Sequence, residues 1–390
     1  MPQHDPLKFA TGLGARLATR SRHVCAFVGA GVGRACGLPD VAQLQERVLA
    51  NLQPADREDL TRQLQGRNIE QALSRLRRIA ALLTGDQTID DLTAARAAAL
   101  DSVVCHAIIE NLDIGNANLD PVLDFAAWAA RANYQLPVEL FSVNYDLLLE
   151  TALERRRVPY FDGFVGSIRA RFHTELVEGT PGGEGEWVPA FFVRLWKLHG
   201  SVNWAWEPDQ QIVRLGQAVT EGQAAAIYPS DTKYEESRRV PFVVLQDRLR
   251  RGLQQAETLI LIAGYSFSDE HLNELLFDAA ARRERSEFIA FCYSEIPGVL
   301  ATRALSTPNL QVVTGTEAIL GGVRGEWKAP DDALPNLWQN DRMALCDFRN
   351  LAAYLARSTT RDPGGDGARP ELLPATATEH LANRGTANNG

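Results

Sequence analysis

The chain has 390 residues, two to three times the length of an ordinary domain, so we expect one large domain or two fused domains. Hydrophobic residues make up 45% of the chain and charged residues 23%, which excludes a wholly disordered, collagen-like or coiled-coil protein. A total of 40 Lys and Arg against 49 Asp and Glu gives a net charge of −9. This acidity argues against direct nucleic-acid binding driven by net charge.

The cysteines are few and scattered, and Cys25, Cys36, Cys105, Cys292 and Cys346 form no C-x-x-C pair. An odd, dispersed set predicts reduced thiols and a cytoplasmic location, rather than a disulfide framework or a zinc ribbon. The N-terminal segment lacks the apolar core of a signal peptide, and the apolar runs elsewhere are too short to span a bilayer. We therefore expect a soluble protein that does not enter membranes.

Short apolar runs rich in β-forming residues predict six buried strands. They are His23–Gly29, Glu139–Asn144, Arg194–Gly200, Thr258–Tyr265, Phe288–Tyr293 and Leu310–Gly315. Each run is apolar on both faces, as strands of a covered parallel sheet are. Helical patterns lie between most of them, for example at Phe242–Ala256 and Asp269–Arg283. The expected fold class is α/β, with a Rossmann-like doubly wound parallel sheet.

Two insertions and a tail interrupt this alternation. Helix-forming residues dominate residues 51–133, which we expect to be an all-helical insertion subdomain within a Rossmann-like domain of residues 1–50 and 134–357. The helical pattern there includes one apolar stripe, Ile69, Leu73, Leu76, Ala80 and Leu83. The second insertion, Val158–Val193, contains a Gly-rich stretch and is expected to be a mobile loop region. Residues 358–390 contain no aromatic residue, Val or Ile, so we expect a disordered tail.

The first candidate site is the glycine-rich segment Gly29-Ala30-Gly31-Val32-Gly33, directly after the first predicted strand. Glycines allow the backbone to approach a pyrophosphate closely, and a following helix would offer its free N–H groups. The segment departs from the dinucleotide fingerprint, because Cys36 stands where the third glycine belongs, and it lacks the Gly-Lys-Ser/Thr of a Walker A loop. These residues alone leave open a plain turn and a ligand site.

Polar residues end the second and third predicted strands. Asn144 and Asp146 follow the second strand, and His199 with Gly200 ends the third. Side chains at the carboxyl ends of parallel strands face the crevice where ligands bind. Histidine is suited to general base catalysis there. In the alternative interpretation, Asp146 caps the next helix, Asn144 closes the turn, and the histidine is structural.

The fourth candidate is the segment Gly264–Asp269, where a strand turns into a helix. A nucleophile elbow at Ser266 is disfavoured, because Ser268 replaces the final glycine of G-x-S-x-G and only His271 and His380 follow. Alternatively, the two serine hydroxyls and the helix N-terminus bind phosphate or ribose. We expect no metal, since the sequence has neither an H-x-x-x-H pair nor a cysteine cluster.

In this order, the four motifs resemble those of the sirtuin (silent information regulator) family, and particularly its prokaryotic antiphage-defence branch of NAD hydrolases. The resemblance implies a set of site residues. It gives Asn144, His199 and Asp146 as catalytic residues, and Gly29, Ala30, Gly31, Asp40, Gly264 and Ser266 as NAD-binding residues. By resemblance, His199 is the general base, Asn144 positions the nicotinamide ribose and the attacking water, and Asp146 orients the site or holds nicotinamide.

The sequence departs from deacetylase sirtuins at several positions. Gly33, Val41, Ala42 and Val143 replace the Ser, Phe, Arg and Gln that those enzymes usually carry, and the four-cysteine zinc module is missing. The resemblance therefore implies NAD glycohydrolase activity, with NAD as substrate and no metal.

The resemblance also implies antiphage defence by NAD depletion, a homo-oligomer and a HerA-type ATPase partner. The alternatives are an NAD-dependent protein deacylase or ADP-ribosyltransferase, and a non-catalytic sensor subunit that binds NAD or ADP-ribose.

Overall fold

The computed structural model describes residues 2–131, 134–179, 187–207, 209, 211–220, 225–227, 240–332 and 334–358. The Gly-rich stretch at 182–185 and the tail from 359 onward lie outside the described residues. In the described part of the chain, no helix combines the length and the apolar character needed to cross a membrane.

The strands of the described residues are β1 (Gln3–His4), β2 (Val24–Val28), β3 (Glu139–Ser142), β4 (Tyr160–Phe161), β5 (Phe164–Val165), β6 (Arg169–Phe172), β7 (Val193–Lys197), β8 (Gly200–Trp206), β9 (Ile212–Leu215), β10 (Ala225–Ile227), β11 (Leu259–Ala263), β12 (Glu287–Phe291), β13 (Leu310–Val313), β14 (Glu317–Leu320), β15 (Val323–Trp327), β16 (Trp338–Gln339) and β17 (Arg342–Met343). The α-helices are α1 (Pro6–Leu17), α2 (Ala30–Ala35), α3 (Val41–Asn51), α4 (Pro54–Leu64), α5 (Ile69–Leu82), α6 (Ala94–Asn111), α7 (Asp120–Arg131), α8 (Leu148–Arg155), α9 (Thr174–Glu178), α10 (Phe242–Gln254), α11 (Glu270–Arg282), α12 (Gly298–Ser306) and α13 (Phe348–Ser358). A short 3₁₀ helix spans Ala344–Cys346.

All six predicted strands lie in one 10-stranded sheet, in the order β1-β15-β14-β13-β12-β11-β2-β3-β7-β4. From β4 to β13 every neighbouring pair is parallel, whereas β14 is antiparallel to both of its neighbours. Numbered among themselves, the six predicted strands stand in the order 3-2-1-4-5-6, which is typical of doubly wound sheets. The predicted α/β fold class is therefore confirmed.

Both faces of this sheet are covered by helices. On β2, Val24, Ala26 and Val28 join one apolar cluster, with α1, α7, α8 and α13. Cys25 and Phe27 point the other way and join a second cluster, with α10, α11 and α12. Burial on both faces explains why the strand is a continuous apolar run in the sequence rather than an alternating one.

A third apolar cluster lies between helices α3 to α6, called here the helical layer, and a 5-stranded sheet in the order β10-β8-β9-β6-β5. The apolar stripe of the sequence falls on α5, where Ile69, Leu73 and Leu76 are buried. Helix α7 contributes its buried side chains to the first cluster, beside the main sheet. The domain boundaries at residues 51 and 133 stay predictions.

The strand order places a switch point between β2 and β11. From β2 the sheet continues through β3 and β7 on one side, and from β11 through β12 and β13 on the other. In doubly wound sheets, the crevice for ligands opens at such a point, beyond the carboxyl ends of the strands. We therefore expect the predicted site in the segments that follow β2, β3, β7 and β11.

Candidate functional site

The segments after β2 and β11 touch backbone to backbone at Gly29, Gly31 and Gly264, called here the glycine crossing. The N–H of Gly31 donates to the carbonyl of Gly264 over 2.8 Å. A Cβ on Gly31 would lie 2.6 Å from the Cα of Gly264, and a Cβ on Gly264, where φ is +65°, would lie 2.7 Å from the nitrogen of Val32. Both distances are shorter than real Cβ contacts, so the crossing requires glycine at these positions.

The turn from β3 to α8, residues 143–147, is attached to this crossing through Asn144. The side-chain amide of Asn144 donates from Nδ2 to the carbonyl of Gly29 over 3.0 Å. Its backbone N–H donates to Oγ of Ser142, 3.1 Å away. The structure thus brings two of the predicted site residues, Asn144 and Gly29, into direct contact.

Asp146, in the same turn, is a buried carboxyl group close to a buried lysine. Its Oδ1 accepts a hydrogen bond from the N–H of Leu148, 3.0 Å away. Nζ of Lys197 donates to the backbone carbonyl of Asp146 and lies 3.1 Å from Oε1 of Glu150. Burial raises the pKa of Asp146, and the positive charge of Lys197 opposes that rise. A Cβ on Gly33 would lie 3.5 Å from Oδ2 of Asp146, which places the carboxyl beside the segment after β2.

His199 follows β7 and is paired with an acidic residue at the start of α11. Its Nε2 lies 3.3 Å from Oδ2 of Asp269, and both residues are 8% exposed. Burial raises the pKa of Asp269, but the hydrogen bond and charge of His199, together with the N–H groups of Leu272 and His271, lower it by more. Asp269 is therefore a carboxylate that orients the imidazole, the arrangement that a general base requires.

The loop from Gly264 to Asp269 presents two hydroxyl groups beyond the end of β11. Ser266 and Ser268 are exposed, and their Oγ atoms lie 2.9 Å apart. Phe267, between them, is buried and has φ at +57°, a conformation that ordinary side chains rarely adopt. Asn273 holds it by donating from Nδ2 to the Phe267 carbonyl over 2.8 Å. The constrained Phe267 thus fixes the two hydroxyls on the outer side of the loop.

Asp40 makes contacts at the start of α3 and with Arg34. It is the N-cap of α3, where its Oδ1 accepts from the N–H of Gln43 over 3.0 Å in a capping box. Its Oδ2 lies 3.4 Å from Nη1 of Arg34. These contacts join Asp40 to Gln43 and Arg34 rather than to the glycine crossing.

Two residues of this edge were given no role in the site from the sequence. Lys197 contacts the turn that contains Asp146, and Asp269 pairs with His199. Lys197 had a usable signal, because a lysine at the end of an apolar strand is costly to bury unless it is paired. Asp269 also had one, since an acidic residue just before a helical pattern is a typical N-cap.

One group in the described residues has the spacing of metal ligands, and it lies at the opposite, amino end of the strands. His23, Cys25 and Glu139 are all buried, and their donor atoms lie within 4.8 Å of one another. The carboxylate already accepts from Arg248 over 2.6 and 2.7 Å and from Trp196 over 2.7 Å. These contacts account for the burial of Glu139 as part of an ion-pair network, and the expected absence of a metal stays a prediction.

Comparison with known proteins gives the chain a SIR2-like segment. Residues 138–310 match the model of the SIR2-like domain. This segment contains Asn144, Asp146, His199 and Ser266, whereas the residues after β2 precede it.

The chain is also similar to solved structures. One is described as the crystal structure of a Sir2 homolog–NAD complex, with 13% identity and a TM-score of 0.46 over 90% of this chain and 93% of that one. Another is a Sir2 homologue mutant in complex with ADP-ribose, with 13% identity and a TM-score of 0.45 over 89% and 95%. A search of curated proteins gave no match.

Proposed function

We propose that the chain is an NAD glycohydrolase, which uses water to cleave the bond between nicotinamide and ribose and releases nicotinamide and ADP-ribose. One observation carries the proposal. At the carboxyl edge of the parallel sheet, Asn144 is hydrogen-bonded to Gly29, and the imidazole of His199 is paired with Asp269. The SIR2-like segment and the resemblance of the four motifs to sirtuins support NAD as the substrate.

The glycine crossing supports the binding of a diphosphate. Helix α2 has Gly29 as its N-cap and no side chain that caps it. The absence of a Cβ at Gly29 and Gly31 lets this helix start lie directly against the backbone of Gly264, and the start of a helix favours negative charge. In the proposal, Gly29, Ala30 and Gly31 hold the diphosphate. Gly264 shapes the crossing, and Asp40 and Ser266 bind ribose or phosphate.

Cleavage of the N-glycosidic bond would depend on the residues that follow β3 and β7. The bond breaks through an oxocarbenium-like centre, so the site must orient the ribose and stabilise positive charge. In the proposal, Asn144 positions the nicotinamide ribose and the attacking water, and Asp146 orients the site or holds nicotinamide. His199 accepts the proton from a ribose hydroxyl or from water, and Asp269 holds the imidazole ring.

We extend the proposal to antiphage defence by NAD depletion, as the resemblance to the prokaryotic defence branch implies. Free NAD hydrolysis would harm the cell that makes the enzyme, so the proposal includes gating, in a homo-oligomer with a separate HerA-type ATPase partner. The proposal also keeps the reducing, cytoplasmic compartment that the odd, scattered cysteines of the sequence indicate.

The test is incubation of the purified full chain with NAD, with nicotinamide and ADP-ribose separated by chromatography. Asn144→Ala removes the amide that contacts Gly29, and we expect it to lower product release by about 100-fold or more, as loss of substrate positioning does. Asn111→Ala is the matched control, because Nδ2 of Asn111 donates to a backbone carbonyl inside α6 instead. Equal release by the parent chain and Asn144→Ala would contradict the proposed site. No release by the parent chain, alone and with the ATPase, would contradict the activity.

A further inference from the structure

The β3–α8 turn, residues 143–147, is held by neighbours on several sides. The carbonyl of Tyr145 accepts hydrogen bonds from the N–H of Val202 over 2.9 Å and from Oγ of Ser201 over 3.2 Å. On either side of it, Asn144 is bonded to Gly29, and the Asp146 carbonyl accepts from Lys197. The turn therefore contacts β7, β8 and the segment after β2 through hydrogen bonds of its backbone and of the Asn144 side chain.

The side chain of Tyr145 connects this turn to the helical layer, α3 to α6. Tyr145 is buried and belongs to the third apolar cluster rather than to either cluster of the main sheet. Its hydroxyl donates to Oε1 of Glu70, 3.0 Å away in the first turn of α5. The residue between two proposed catalytic residues thus has its side chain anchored in the helical layer.

Glu70 is itself well placed to act as a fixed acceptor. Helix α5 begins with a capping box, in which Asn68 accepts from the N–H of Gln71 over 2.9 Å and the Gln71 side chain accepts from the N–H of Asn68 over 3.2 Å. This box fixes the first turn of the helix, where Glu70 lies. Burial, and then the charge of Glu70, raise the pKa of Tyr145 well above its usual range, so the phenol stays a donor at physiological pH.

We propose that Glu70 is a positioning residue for NAD hydrolysis, which acts through the hydroxyl of Tyr145 to hold the β3–α8 turn in its reactive arrangement. The inference rests on the proposed function and adds to it a role for the helical layer. Glu70 does not touch the reacting atoms in this role. A loosened turn would displace Asn144 and Asp146 together.

The test compares kcat and KM for nicotinamide release among four variants of the full chain. Tyr145→Phe removes only the donor, Glu70→Ala removes the acceptor, and Glu70→Gln keeps an acceptor oxygen at the same place. Tyr354→Phe is the matched control, because its hydroxyl donates to the Ala10 carbonyl on the other side of the main sheet. We expect Tyr145→Phe and Glu70→Ala to lower kcat about tenfold with KM within about twofold, since small displacements of positioned groups act on the chemical step.

Glu70→Gln and Tyr354→Phe should stay within about twofold of the parent kcat, because both variants keep the hydrogen bond between Tyr145 and residue 70. Parent-like kcat in Tyr145→Phe, or an equal loss in Glu70→Gln and Glu70→Ala, would overturn the inference. If the parent chain releases no nicotinamide, the proposed function fails, and amide hydrogen exchange over residues 142–148 then decides the positioning role. Faster exchange in Tyr145→Phe than in Glu70→Gln supports it, and equal exchange in both overturns it.

Discussion

The two carboxylate oxygens of Asp269 make different contacts. Oδ2 lies 3.3 Å from Nε2 of His199, at the end of β7. Oδ1 accepts from the N–H groups of His271 and Leu272 over 2.9 and 3.2 Å and so caps α11. The residue that starts a helix therefore also orients the proposed general base, and one substitution can separate the two roles.

We expect Asp269→Asn to lower kcat for NAD hydrolysis on the order of 100-fold, within the usual contribution of a positioned general base. The amide would present an N–H group to Nε2 of His199 and so change the imidazole tautomer, whereas its oxygen would still cap α11. Stability in urea should fall by no more than about 1–2 kcal/mol, because Asn still caps α11 and only the charge of the hydrogen bond to His199 is lost. Asp5→Asn, at the N-cap of α1, is the control and should leave both quantities unchanged. An Asp269→Asn enzyme with parent kcat would remove the orienting role.

Gly31→Ala should destabilise the protein and abolish NAD binding, because the new Cβ would lie 2.6 Å from the backbone of Gly264. Backbone atoms at that distance must shift, and overpacking of this kind costs about 1–3 kcal/mol. Gly298→Ala is the control, since nothing lies within 4 Å of its Cβ position in the described residues. Urea denaturation and calorimetric titration with NAD measure the two effects. Equal urea midpoints for Gly31→Ala and Gly298→Ala would show that the glycine crossing has room for a Cβ.

Lys197→Met should destabilise the fold by about 3–5 kcal/mol, the usual cost when one partner of a buried ion pair is removed. The side chain of Lys197 is 3% exposed, and it pairs with Glu150. The double variant Lys197→Met with Glu150→Met should be more stable than the single one, because Glu150 is then no longer a buried carboxylate without its partner. Thermal and urea unfolding compare them. A double variant less stable than Lys197→Met would argue against this pairing as the source of the cost.

The stability of the fold should decrease with pH above neutrality because of His23. Burial lowers the pKa of His23, but its interactions with Cys25 and Glu139 raise it from 6.5 to about 10. The folded state therefore binds one more proton than the unfolded state between these values, so the contribution is complete below 6.5 and is lost as the pH rises toward 10.

We expect the free energy of unfolding to fall by more than about 1 kcal/mol from about pH 7 to about pH 9, since each pKa unit corresponds to about 1.4 kcal/mol. His23→Gln, which keeps a hydrogen-bond donor without the charge, should flatten this dependence. Urea denaturation at several pH values measures the free energy of unfolding. The same dependence of this free energy on pH in the parent chain and in His23→Gln would refute the assignment to His23.

Six strands of the main sheet could be predicted from sequence because each is buried on both faces. Val24–Val28 and Leu259–Ala263 are apolar at every position, a pattern that leaves little choice of structure. The 5-stranded sheet was not predicted, because strands such as β6 alternate exposed arginines with buried or half-buried residues and lie in an insertion that the sequence indicates as a loop region.

The residues of the candidate site could be predicted from sequence more readily than the contacts between them. Tyr145 and Glu70 are 75 positions apart in the sequence, and no local pattern relates them. Their hydrogen bond depends on how the helical layer packs against the turn after β3. Local sequence could therefore indicate which segments follow the strands, but the pairs that fix their side chains depend on tertiary packing.

The glycine crossing sets the distance between the segment after β2 and the segment after β11, which belong to the two halves of the sheet. One side of it is attached to Asn144 and the other leads into the loop of Ser266. Because main-chain atoms alone set the distance between the segments after β2 and β11, substitutions of the surrounding side chains can change what this edge binds without changing that distance. The side chains around the crossing therefore determine which ligand this edge selects, and the glycines determine how closely the two segments approach. The two properties can vary independently among chains that share this backbone contact.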